Sequence, residues 1–183
     1  MQDNLDLGQR LGDGYYDTLE IALTEAKSGY ALEFGVATGF TLKMIAGKMP
    51  VTGFDSFEGL PEDWRAGFPK GMFAQPAPSI VGAELVVGWF EDTLEKWIES
   101  NAARMKALSL VHIDCDLYSS TVTILNGVGE YLVSGVVVVF DEYHGYPGWE
   151  DHEFKAWSEF IERTGKQYEI IGHGPEQLAV RMK

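Results

Sequence analysis

The sequence holds a single cysteine, Cys115, in 183 residues. No internal disulfide can form, which fits a reducing, cytoplasmic setting. No apolar run approaches the ~20 residues that span a bilayer, and no basic stretch leads into an apolar h-region at the start. A membrane partner and a secretion signal are therefore not expected. Positive charge is scarce: 14 Lys and Arg stand against 28 Asp and Glu, for a net charge of −14. The lysines and arginines form no cluster, whereas nucleic-acid binders need a basic face to meet phosphates. Nucleic acid is excluded as an expected partner. The sequence also lacks GxGxxG, the pyrophosphate fingerprint of dinucleotide folds, which argues against a nicotinamide-dependent oxidoreductase.

What it has is regular alternation. After a polar, glycine-punctuated arm over 1–12, residues 14–27 space Tyr15, Leu19, Ala22, Leu23 and Ala26 as one helix face. Strands are predicted at 30–36, 51–57, 84–90, 108–114 and 135–143, with helices at 40–49, 92–105, 119–133 and 150–165. Segments 168–174 and 177–183 read as a hairpin across Gly174 and Pro175. The strand runs are continuously apolar, as in strands covered on both faces. Alternating strands and helices imply crossover units and a mostly parallel sheet. Residues 57–83, rich in Gly, Pro and Phe, form the long loop of such a domain, and loops of that length usually carry function.

The unusual residues gather at the carboxyl ends of the strands, where open α/β sheets bind ligands. The first strand leads into LEFGVATGFTL (32–42), in which Gly35 and Gly39 flank a tight turn through Ala37 and Thr38. Glu33 ahead of that turn suits a cationic ligand such as S-adenosylmethionine better than a diphosphate; a plain strand-to-helix turn with a surface glutamate is the alternative. Asp55, 20 residues after Gly35, ends the second strand, where an acid can accept ribose hydroxyls. Its alternative is an Asx turn onto Ser56 and Phe57. Trp89 and Phe90 in GWFED offer flat surface for an adenine ring, or ordinary core.

Two strands end on acids: SLVHIDCDLYSS (109–120) on Asp114 and Asp116, GVVVVFDEYHG (135–145) on Asp141 and Glu142. One helix joins these strands, so Asp114 and Asp141 should emerge side by side. Like charges that close raise each other's pKa, and a hard cation such as Mg²⁺ removes the conflict. Asp114, Asp141 and Glu142 are the metal candidates. Asp116 is read as a cap on the following helix. With one isolated cysteine, no zinc site is expected.

LEFGVATGFTL, GFDSFEGLPEDW, GWFEDTL, HIDCDLYSST and FDEYHGYPGWEDHEFKAW occur in that order, and together they resemble the macrocin-type (TylF-like) O-methyltransferases over about residues 30–182. The resemblance implies a doubly wound, Rossmann-like class I methyltransferase fold in one domain over 1–183. Its sheet would be seven-stranded and mostly parallel, with a C-terminal antiparallel hairpin and helices on both faces. It implies S-adenosyl-L-methionine as donor and Mg²⁺ or another divalent cation on Asp114, Asp141 and Glu142, the last often aspartate in characterised members. Asp114 would also be the general base, with His144 the second choice. The cofactor loop would be Glu33 to Gly39, with Asp55 and Ser56 at the ribose and Tyr118 near the donor. Characterised members carry a longer region ahead of the first helix than the dozen or so residues here, which leaves the acceptor open.

The expected reaction is O-methylation of a small-molecule hydroxyl, on a sugar or other vicinal-diol natural product. A catechol- or phenol-type acceptor is the alternative, with Phe57, Trp64, Phe68 and Phe73 of the loop lining its pocket. A non-catalytic S-adenosylmethionine-binding protein would be expected to lose the metal acids first, and all three are present. The aromatic flap and short arm are compatible with a homodimer.

Overall fold

The structure is a computed structural model that describes residues 7, 9–12 and 14–183. The expected arm over 1–12 otherwise lies outside the described residues. Its described part runs beside the last hairpin, with Leu11 N–H donating to the His173 carbonyl at 2.8 Å.

Seven strands form one sheet in the order β3-β2-β1-β4-β5-β7-β6. They are β1 (Tyr30–Phe34), β2 (Val51–Asp55), β3 (Ala83–Val87), β4 (Leu108–Ile113), β5 (Val137–Phe140), β6 (Tyr168–His173) and β7 (Leu178–Met182). The first five are parallel, and β7 runs antiparallel to both neighbours. The order reverses between β1 and β4, which makes their carboxyl ends the topological switch point.

Alternate strand residues feed two cores, because successive side chains point to opposite faces. On one face Ala31, Leu110, Val137 and Val139 meet α1 (Asp17–Glu25) and α2 (Phe40–Ala46). On the other, Phe34, Phe54, Ile113 and Phe140 meet α3 (Phe90–Ser100), α5 (Tyr118–Val128) and α6 (Glu153–Thr164). Trp157 of α6 is the largest side chain with no exposed surface. β4 and β5 are buried at every position, which is why their sequences are unbroken apolar runs.

The expected helix over 92–105 is two pieces, α3 and α4 (Ala102–Lys106). The break falls at Asn101, whose side-chain amide donates back to the Trp97 carbonyl at 2.8 Å, a local bond that competes with helix continuation. No helix among the described residues is long and apolar enough to cross a membrane.

At the switch point the chain has no room for a side chain. Gly35 has φ +88°, and a Cβ there would lie 1.7 Å from the Asp114 carbonyl oxygen. Gly35→Ala is therefore expected to cost at least about 3 kcal/mol of folding stability, from backbone strain and clash together. Urea unfolding that gives a loss under ~1 kcal/mol would contradict this packing.

Candidate active site

The carboxyl ends of β1 to β5 open into a cavity of about 750 Å³. Gly35, Ala37, Asp55, Ser56, Trp89 and Phe90 line one part of it. Asp114, Asp116, Glu142 and Tyr15 line another, and Leu60, Trp64, Arg65, Phe68 and Phe73 of the long loop close over it. Among the described residues four non-glycine residues hold positive φ: Ala37, Phe57, Phe73 and Asp116. Three of them line this cavity, and such strain concentrates at functional sites.

Asp55 shapes the glycine loop. Its Oδ2 accepts the backbone N–H groups of Val36 at 2.8 Å and Ala37 at 2.9 Å, and its Oδ1 accepts Phe57 N–H at 2.8 Å. The Asx turn read from the sequence thus forms, and the same carboxylate also holds Ala37 in its left-handed conformation. Ser56 and the rings of Trp89 and Phe90 stand beside it on the cavity wall. Gly39, at φ +80°, opens α2 under Ile80 and Pro78.

Several residues named from the sequence sit elsewhere. Glu33 is neither on the surface nor among the cavity-lining residues. It lies fully buried within β1 and accepts from Nδ1 of the equally buried His112 at 2.9 Å. The cause is register: Glu33 and His112 are paired across β1 and β4, and both face the same core. Burial pushes the Glu33 pKa up, and His112 counteracts part of that. Thr38 is exposed and does not line the cavity. Tyr118 starts α5 but faces α6, where its hydroxyl donates to Glu159 at 2.6 Å. His144 also lies outside the lining. Its ring packs edge-on to His173 at 5.4 Å, and burial lowers its pKa. Phe57 is packed in the α1–α2 core, whereas Trp64, Phe68 and Phe73 do face the cavity.

The acids at the ends of β4 and β5 meet. Asp114 follows the pair Ile113–Phe140, and Asp141 N–H donates to the Ile113 carbonyl at 2.9 Å. One ligand atom from each of Asp114, Asp141 and Glu142 falls within 4.8 Å of the others. Asp141 is 3% and Glu142 5% exposed. Two further acids join them. Asp116 does not cap α5, whose N-cap is Leu117 without a side-chain bond; it holds a positive φ and is buried among the acids, beside Glu142. Glu153, at the start of α6, accepts Glu142 N–H at 3.2 Å. Burial is the main cause that raises the pKa values of Asp114, Asp116, Glu142 and Glu153, and their mutual repulsion adds to it. Asp116 is pushed up to about 7, held back partly by Arg65.

Arg65 is the cation of this wall. Its guanidinium lies over the rings of Trp64 at 4.0 Å and Tyr146 at 4.4 Å, and bonds Glu176 at 3.4 Å. The loop is thereby tied to the turn before β7. Tyr15, Glu153 and Arg65 were not read as site residues from the sequence, and Asp116 was read only as a cap; the available signal was that Asp116 and Glu153 lie within the acid-bearing motifs.

Because these carboxyls have folded-state pKa values above their unfolded ones, the metal-free fold holds its protons more tightly than the unfolded chain. Stability is greatest in mild acid and falls as pH rises from about 4 through the Asp116 value of about 7. The thermal midpoint in EDTA is expected to drop by at least about 5 °C between about pH 5.5 and about pH 8. Millimolar Mg²⁺ should restore it only at the higher pH, where the acids are ionised. A flat midpoint would mean the acids are not buried together.

A family model described as Methyltransferase domain matches residues 32–143, from β1 to just past the acids of β5. No curated protein matches. Among solved structures, the calicheamicin methyltransferase CalS11 has a TM-score of 0.71 at 22% identity, over 91% of this chain and 76% of that one. The O-methyltransferase NovP has a TM-score of 0.67 at 19% identity, over 89% of this chain and 78% of that one. The MycE methyltransferase of mycinamycin biosynthesis, solved with Mg and SAH, has a TM-score of 0.55 at 13% identity, over 85% of this chain and 45% of that one. At these identities the likeness is one of fold: the same Rossmann-like methyltransferase architecture. With more than half of its length, including the glycine loop and both acid-bearing strand ends, matched by that model, the chain belongs to the methyltransferase-domain family.

Proposed function

We propose that the protein is an S-adenosylmethionine-dependent O-methyltransferase that acts on a small-molecule hydroxyl with the help of a divalent cation. One observation carries the reading. Asp114, Asp141 and Glu142 converge at the switch point, and Asp114 and Glu142 line the same cavity as Gly35, Ala37 and Asp55. The acid set fits a hard cation. All its donors are oxygens, and Glu142 Oε2 is buried without a hydrogen-bond partner. The glycine-loop side, with Trp89 and Phe90, suits an adenosine, and the acids lie beyond it for the acceptor.

Bound S-adenosylmethionine would supply the sulfonium methyl, and a cation on the triad would polarise the acceptor hydroxyl and lower its pKa. The chain's own residues set up in-line transfer by orienting the acceptor and excluding water. Trp64 and Phe68 cover the reacting region, and Arg65 holds them over it. Asp114 and Asp116 both line the cavity and offer carboxylates for the acceptor's proton, and Asp116, pushed up to about 7, suits proton transfer near neutrality. His144 has no such access.

CalS11, which a second structure describes as a TDP-rhamnose 3'-O-methyltransferase of calicheamicin biosynthesis, supports a natural-product sugar acceptor, and NovP, an O-methyltransferase, supports transfer to oxygen. Trp64, Phe68 and Phe73 on the cavity wall favour a second reading, an aromatic diol stacked among those rings.

Calorimetric titration with S-adenosylmethionine and its demethylated product, in Mg²⁺ and then in EDTA, is the direct test. Micromolar binding in both is expected, since the triad serves the acceptor; no binding in either removes the methyltransferase reading. Asp141→Asn should keep donor binding and lose Mg²⁺-dependent methylation by about a hundredfold or more. Wild-type turnover of that variant in EDTA would end the metal reading. Asp55→Ala releases Val36, Ala37 and Phe57 N–H groups and should weaken donor binding at least about tenfold, ~1.4 kcal/mol; an unchanged Kd removes Asp55 from the donor site.

A further inference from the structure

Tyr15 precedes α1 and lies 126 residues from Asp141 in the chain, yet its hydroxyl donates to Oδ2 of Asp141. The Tyr15 hydroxyl oxygen also lies 3.1 Å from Oε1 of Glu142. The residue also lines the cavity beside Asp114. A phenol carries one proton and no charge, so it can bridge two carboxylates without adding to their repulsion.

We propose that Tyr15 is the positioning residue of the acid triad: it fixes one oxygen of Asp141 and one of Glu142, and so presents the remaining oxygens to a divalent cation. The inference rests on the metal reading above. Two features support it. Glu142 is held at Oε1 by Tyr15 while its Oε2 is buried without a partner, the division expected of a ligand whose second oxygen is reserved. The ring is held independently of any ion. It packs edge-on to Tyr16 at 5.1 Å, and Tyr16 lies on Phe40, the first residue of α2, at 4.5 Å. The chain of contacts runs from the acids through two tyrosines to the end of the glycine loop. Groups that orient metal ligands in this way change affinity by about 10–100-fold when removed.

The test uses the full chain and Mn²⁺ as probe, with free Mn²⁺ counted by electron paramagnetic resonance. Tyr15→Phe keeps the ring and removes the hydroxyl; it should weaken Mn²⁺ binding at least about tenfold. The S-adenosylmethionine affinity should stay at the wild-type value, with a fall in melting temperature of no more than a few degrees. Tyr16→Phe, whose contacts to its neighbours are made by the ring, should leave Mn²⁺ affinity unchanged. Equal or tighter Mn²⁺ binding by Tyr15→Phe overturns the proposal, the tighter result meaning that the hydroxyl competes with the ion. A variant that loses melting temperature and donor affinity along with Mn²⁺ also overturns it, since the tyrosine would then be structural only. Wild-type protein that binds S-adenosylmethionine but no Mn²⁺ fails the metal reading itself, and the proposal with it.

Discussion

The carboxyl ends of β4 and β5 place negative charge beside negative charge, and the backbone allows no escape. Ile113 pairs with Phe140, and Asp141 N–H bonds the Ile113 carbonyl, so the next residue of each strand is an acid in the same small volume. Both strands are buried along their whole length, which denies these carboxylates the water that would screen them. Buried like charges must take up protons, find donors or hold a cation. The fold uses the first two: raised pKa values at Asp114, Asp116, Glu142 and Glu153, the Tyr15 hydroxyl, and Arg65 near Asp116. Each is a partial answer, and Glu142 Oε2 remains without a partner. A fold that is least comfortable at one point, and that leaves a cavity at that point, is organised around what binds there.

Strain at the other part of the cavity follows the same logic. Ala37 holds a conformation that a glycine would adopt freely, and it is held by Asp55, which gives one oxygen to two backbone donors. The loop is thereby fixed in shape before any ligand arrives. Preorganisation of this kind shifts the cost of ordering from binding to folding. The Asx turn onto Phe57 and the loop grip on Val36 and Ala37 are made by the two oxygens of one carboxylate, so the ends of β1 and β2 are fastened to each other.

The alternation of strands and helices, the burial of the strands and the pairing of Asp114 with Asp141 were legible because they follow from local pattern and one topological rule. Apolar runs of strand length, separated by amphipathic helices, leave few alternatives to a parallel sheet, and the terminal hairpin announced itself at Gly174 and Pro175. What failed was side-chain direction. Glu33 and Tyr118 sit in motifs that border the cavity, yet one faces the core and the other faces α6. For Glu33 the strand parity could have said so, since it shares a face with Ala31 and pairs with His112. Tyr15, Glu153 and Arg65 were beyond reach for another reason. They arrive from a helix start, another helix and a loop, and no periodicity encodes which of them meets β4. Asp116 was misread because helix capping is the commoner use of an aspartate there; a positive φ, invisible in sequence, turned it inward.

Arg65 ties these levels together. As a cation among the acids that line the cavity, it could be taken for an anchor for an anionic ligand. Its surroundings argue for a different role. The guanidinium is stacked on Trp64 and Tyr146, within 5.0 Å of Phe68, and bonded to Glu176. Its charge is thus shared among rings, one carboxylate and the field of Asp116, and its planar face, which Arg offers and Lys does not, is spent on the aromatics. Glu176 in turn accepts Tyr143 and His144 N–H at its carbonyl, directly after the Asp141–Glu142 pair. The aromatic loop is therefore fastened to the same short segment that bears two of the triad's acids. Any movement of those acids on loading the site has a path, through Glu176 and Arg65, to the loop that covers it.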